Sequence, residues 1–111
     1  MKPTIPFADW EKVDLRVGTI LKVEDHPNAT KLYVLTIDLG TEKRTIVAGL
    51  KGRYTAQELK GKQGIFIVNL EPAMLRGVKS EGMTLAAATE DDSLVVLLAP
   101  DKEIAPGSKV R

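Results

Sequence analysis

Val13-Asp14-Leu15-Arg16-Val17-Gly18-Thr19-Ile20-Leu21-Lys22-Val23-Glu24, residues 13–24, decides the fold. Val13, Leu15, Val17, Leu21 and Val23 fall on alternate positions, and Asp14, Arg16, Lys22 and Glu24 fill most of those between. That period of two belongs to a long half-buried strand. Gly18 inside it predicts a bulge or bend, the device by which small closed barrels turn corners. The turn cluster Asp25-His26-Pro27-Asn28-Ala29-Thr30 follows, then a second alternating run through Tyr33, Leu35, Ile37 and Leu39. Gly40-Thr41-Glu42-Lys43 reads as a hairpin into a third strand, Arg44 to Ala48, so the chain opens as an antiparallel meander.

Outward from the meander, the pattern changes on both sides. Phe7 and Trp10 stand three apart after Pro6, which suits one amphipathic helical turn. Trp10, the single tryptophan, has two readings: packing on its own core, or burial against a second copy of the chain. On the other side, Thr55-Ala56-Gln57-Glu58 is a capping-box pattern, with Leu59 and a terminating Gly61 leaving room for one or two turns. Gly64 to Asn69, Met83 to Thr89 and Ser93 to Ala99 read as further strands, and Pro100 to Arg111 as a tail in which Val110 is placed to pair at an edge. This order predicts an all-β chain, an OB-fold five-stranded barrel with a short helix between strands three and four. The division is an N-terminal extension over 1–12, the barrel over 13–99 and a C-terminal extension over 100–111.

A chain of 111 residues supports one modest core. With 43% hydrophobic and 28% charged residues, neither disorder nor a membrane class is indicated. No apolar run approaches the roughly 20 residues of a membrane span, and the first residues lack the apolar centre of a signal peptide, so a cytoplasmic location is expected. The absence of cysteine removes disulfides, thiolate metal sites and thiol catalysis. His26 is the only histidine, which excludes a histidine metal cluster. No cofactor is called for. His26 beside Asp25 lacks any nucleophile motif, phosphate loop or paired carboxylate frame, and reads as a turn residue rather than a catalyst.

The net charge of +1 is unevenly spread: residues 41–80 sum to +5, against −1 for residues 1–40 and −3 for residues 81–111. A local positive field steers and holds a polyanion. Between the strands at Ile65 and Met83 lies a long cationic crossing, Leu70 to Glu81, where a short turn would suffice for stability. A loop of that kind is expected to exist for contact.

With these residues placed, the chain resembles the tRNA-binding domain family found at the C-terminus of many methionyl-tRNA synthetases, in free-standing tRNA-binding proteins and in synthetase-associated cofactors. The matching stretches are Val13-Asp14-Leu15-Arg16-Val17-Gly18, His26-Pro27-Asn28-Ala29-Thr30-Lys31-Leu32-Tyr33, Ile46-Val47-Ala48-Gly49-Leu50, Asn69-Leu70-Glu71-Pro72 and Arg76-Gly77 with Ser80-Glu81-Gly82-Met83. They cover nearly the whole chain in order. One departure is Thr30, where the family usually has Asp before the Lys of its second signature. The resemblance implies non-catalytic recognition of tRNA by shape, in the manner of a subunit or trans-acting cofactor of methionyl-tRNA synthetase. It also implies a homodimer built on the terminal extensions, with Phe7, Trp10 and Val110 as contacts.

RNA binding needs cations for phosphates, and donors or soft surfaces for sugars and bases. Lys31, Arg44, Arg76 and Lys79 supply the first, with Arg76 foremost because a guanidinium clamps phosphate bidentately and stacks on a base. Asn69, at the end of a buried-type strand, either ties the following loop or contacts RNA. Ser80 can donate to a phosphate or sugar, and Met83 either faces a base or packs in the core. The scarcity of aromatics favours backbone recognition over multiple stacking. A rival expectation is a protein-holding module similar to the secretion-chaperone branch of the same fold, using an apolar groove at Met74, Leu75 and Met83.

Overall fold

The computed structural model describes residues 1–111. In chain order its elements are α1 (Phe7–Trp10), β1 (Leu15–Asp25), β2 (Tyr33–Asp38), β3 (Lys43–Ala48), α2 (Ala56–Leu59), β4 (Gln63–Ile67), β5 (Ala73–Leu75), β6 (Val78–Ser80), β7 (Met83–Thr84), β8 (Ala86–Ala88), β9 (Val95–Leu97) and β10 (Lys109–Val110). β1 is the strand on which the barrel is built. It pairs antiparallel with β2 from Thr19↔Asp38 to Asp25↔Tyr33, and with β4 from Leu15↔Ile67 to Thr19↔Gln63.

The strand order is β3-β2-β1-β4-β7. The barrel closes where Glu81 N–H donates to Thr45 O at 2.8 Å and Val47 N–H donates to Ser80 Oγ at 2.9 Å. A side-chain oxygen thus substitutes for a backbone carbonyl at the seam. This is the five-stranded all-β barrel of the OB-fold. Its core follows from the period of two: Tyr33, Leu35 and Ile37 turn inward from β2, and Ile20, Ile46 and Phe66 join them fully buried. The capping box forms as its sequence requires. Thr55 N–H donates to Glu58 Oε1 at 2.8 Å, Glu58 N–H donates to Thr55 Oγ1 at 3.1 Å, and the short α2 delivers Leu59 into the core. A fully buried side chain of this size contributes about 1.5–3 kcal/mol.

Three details differ from the sequence expectation. The bulge in β1 falls between Ile20 and Lys22 rather than at Gly18. Gly18 is needed for room: a Cβ there would lie 2.4 Å from Ile37 Cγ2 and 2.9 Å from Phe66 Cδ2. The run Met83 to Thr89 splits into β7 on the barrel and β8 in a hairpin with β9. The cationic crossing from residue 69 to 82 is not an irregular loop, because it contains the β5–β6 hairpin with Met74 opposite Lys79. The tail returns to the barrel, with Val110 opposite Leu15 of the same chain.

Candidate nucleic-acid interface

Two connections meet where β1 hands over to β2: residues 26–32 and the tip of the β5–β6 hairpin. His26 is buried. Its Nδ1 accepts from Asn28 N–H at 2.9 Å, so the ring proton is assigned to Nε2, which donates to Leu75 O at 2.8 Å. Asn28 Nδ2 donates to Arg76 O at 3.1 Å. Two successive carbonyls at the hairpin turn are therefore held by the neighbouring connection. The turn itself has Arg76 at φ 53° and Gly77 at φ 90°, the two-residue geometry that favours Asn-Gly. Holding a non-glycine residue there costs about 1–2 kcal/mol, and strain kept at an exposed tip points to use of the side chain.

Around this junction the charges are unspent. Lys31, Arg76 and Lys79 are exposed, and none of them has an ion-pair partner. Lys79 and Met74 share the outward face of the hairpin, since Ser80, on the opposite face, is buried. Met83 is 47% exposed. The remaining positive charge of the middle third does not gather here. Lys43 and Arg44 begin β3 while Ala48 ends it opposite Tyr33, a separation of about 17 Å at 3.3 Å per residue. Lys62 lies 5.2 Å from the Tyr54 ring centre, beside α2, and Lys51 is paired with Asp25 at 3.0 Å.

Three of the residues expected to contact RNA have their polar atoms engaged within the domain. Arg44 donates to Val68 O, to Glu81 O at 3.3 Å and to Glu42 Oε1 at 3.1 Å, so its fork ties together the two stems of the 69–80 excursion. Asn69 ties the approach to β1 rather than the loop that follows it: Oδ1 accepts from Asp14 N–H at 2.8 Å, and Nδ2 donates to Lys12 O at 2.5 Å. Ser80 Oγ accepts from Val47 N–H and donates to Gly82 O at 3.0 Å, which leaves a buried hydroxyl with no face for a ligand. Nearby Arg16 is spent likewise. Its hydrogen bond to Asp14 at 2.7 Å raises its pKa above the ordinary value.

The junction lies on the connections after the first and fourth barrel strands, which OB-folds use for oligonucleotides and oligosaccharides. A family described as the putative tRNA binding domain matches residues 15–109. The chain belongs to that family. It is 56% identical over 107 residues to the methionine–tRNA ligase of Pyrococcus horikoshii, covering 96% of this chain and 14% of the ligase. A crystal structure of a MetRS related protein from Pyrococcus horikoshii matches with a TM-score of 0.92 and 36% identity, over 99% of this chain and 100% of that one. The chaperone CsaA of Bacillus anthracis matches with a TM-score of 0.88 and 33% identity, over 98% and 100%. The chain thus spans about one seventh of the ligase it matches.

In this tRNA-binding domain, the residues missed as site builders are His26, Asn28 and Glu81. His26 and Asn28 were visible as turn residues, but their partners lie 49 and 48 positions away. Nothing local signals such a bond.

Proposed function

We propose that the domain binds folded tRNA by the shape and charge of its backbone, with Lys31, Arg76 and Lys79 on phosphates and Met83 against a base or sugar. The observation that carries this is the tip itself: an unpaired guanidinium kept in a left-handed turn whose carbonyls are tethered by His26 and Asn28. No catalytic step is assigned. The domain acts in the cytoplasm as a separate subunit or trans-acting cofactor of methionyl-tRNA synthetase, a reading supported by the ligase relatives. It does so as a homodimer. Support comes from α1, which buries none of its residues and leaves Phe7 71% and Trp10 40% exposed beside a cavity of about 180 Å³ shared with Val110. Two barrels on one RNA gain avidity without new contacts.

Filter binding of bulk tRNA at low and high salt tests the reading, since counterion release makes affinity fall steeply with salt. Equal affinity for a duplex DNA of the same charge would refute recognition by shape. A second reading, protein holding, is favoured by the exposed Met74 (67%), Leu70 and Leu75 on the same excursion and by the likeness to CsaA. Competition separates the two: peptide binding that tRNA cannot displace, and that survives Arg76→Ala, would establish it.

A further inference from the structure

His26 is the only histidine of the chain, and it is buried. Both of its ring nitrogens are committed. Nδ1 accepts from Asn28 N–H at 2.9 Å while Nε2 donates to Leu75 O at 2.8 Å, a pair of bonds open only to the neutral ring, because imidazolium carries a proton on each nitrogen. A proton on Nδ1 would face the Asn28 N–H, donor against donor. Either Asn28 then moves, taking with it the Nδ2 that holds Arg76 O at 3.1 Å, or the ring leaves its buried position and releases Leu75 O. In both cases the hairpin tip loses a tether.

The charges around the ring give a second positive charge no partner there. On its own strand, Asp25 is exposed and paired with Lys51 at 3.0 Å, and Glu24 is exposed and paired with Lys22 at 3.6 Å. The 26–32 connection contributes Lys31, and the hairpin contributes Arg76 and Lys79, all cations. The nearest acid on the excursion, Glu71, lies four positions before Leu75, toward the end that leaves the barrel.

We infer that His26 is a positioning residue whose neutral form keeps the tip cations at the RNA, so that tRNA affinity falls as pH drops through the histidine range. This rests on the RNA-binding reading above and adds to it a proton-controlled hold on the same site. The direction is opposite to that of charge alone, since acidification makes the protein more positive while phosphodiesters stay anionic. The linkage has one sign: the tethered form excludes a proton that the released form takes up, so the tether is complete above the ordinary histidine range and weakens below it. Histidine's ordinary pKa is about 6.5, so a ring free to take a proton only when released shifts that balance about tenfold between about pH 7.5 and about pH 5.5.

The test is filter binding of bulk tRNA to the whole chain at those two pH values and one salt concentration, beside amide exchange of Asn28. Wild-type affinity should fall several-fold in acid. Asn28 N–H protection, corrected for the intrinsic exchange rate, should fall with it, while amides across the β1–β2 ladder keep theirs. His26→Gln retains a donor for Leu75 O and takes up no proton, so its affinity should not respond to pH. Arg76→Ala/Lys79→Ala leaves the His26 bonds in place. It should lose the pH response of affinity and keep that of Asn28 exchange, which serves as the control should His26→Gln not fold. Affinity that holds or rises in acid, or a fall that persists in Arg76→Ala/Lys79→Ala or in folded His26→Gln, overturns the inference. If tRNA fails to bind at about pH 7.5 as well, the RNA-binding reading is what fails, and Asn28 exchange alone then decides whether the ring's proton governs the tip.

Discussion

The foot of the 69–82 excursion and its tip carry the same kinds of side chain, yet they do opposite things. At the foot, Arg44, Asn69 and Ser80 have their polar atoms engaged by backbone groups and by Glu42. At the tip, Arg76 and Lys79 have no ionic partner, and the hairpin holds them in place through its carbonyls rather than through their heads. The lesson is that a cation's usefulness to a ligand depends on what it already holds. A charge spent on two carbonyls makes a barrel rigid, and a charge left free on a braced hairpin makes a surface adhesive.

The widest separation between foot and tip is expected in tRNA affinity. Each charge-assisted contact contributes about 1.5 kcal/mol or more, so Arg76→Ala/Lys79→Ala should weaken tRNA binding about a hundredfold with Tm unchanged, as read by filter binding and calorimetry. Ser80→Ala should do the reverse. It strands the buried Val47 N–H and should cost about 1–3 kcal/mol of stability, measured by urea unfolding, while the unpaired cations stay in place.

A smaller effect sharpens the contrast within one residue. Arg76→Asn places the residue type preferred at this turn and should stabilise the domain by up to about 1 kcal/mol while weakening tRNA binding. Gain in both properties would show that the strain serves nothing.

The barrel itself was legible because its signals are local. The period of two in β1 and β2, the Thr55–Glu58 box and the turn residues between strands all act within a few positions, and they gave element type and order correctly. Of the tip only the charge of Arg76 was legible, because the β5–β6 hairpin that presents it was read as a loop. The braces were not. Arg44 meets carbonyls 24 and 37 positions away and Ser80 meets an N–H 33 positions away, so the +5 of the middle third gave no sign of which charges were already engaged. Gly18 failed in the same manner, because what forbids a side chain there is Ile37 and Phe66 from two other strands.

The smallest expected effect is on acid stability, away from the tip. The Glu58 carboxyl sits below its usual range, chiefly because it accepts from Thr55 N–H, and Asp91 does so chiefly through the Ser93 hydroxyl. A carboxylate more acidic in the fold than in the unfolded chain stabilises above its unfolded pKa, and that contribution disappears as pH falls through the depressed value. Amide exchange should therefore show α2 and the β8–β9 turn loosening in acid below the ordinary carboxylate range, and Glu58→Gln should remove the pH dependence at α2.

The most direct test is the slope of log affinity for tRNA against log salt, compared between Arg76→Ala/Lys79→Ala and Arg44→Gln. Losing two phosphate contacts should flatten the slope by about two in the first, whereas Arg44→Gln should keep the wild-type slope even where looser stems lower its affinity. An Arg44→Gln slope flattened by about one, with the tip variant unchanged, would mean that the foot and not the tip meets the RNA.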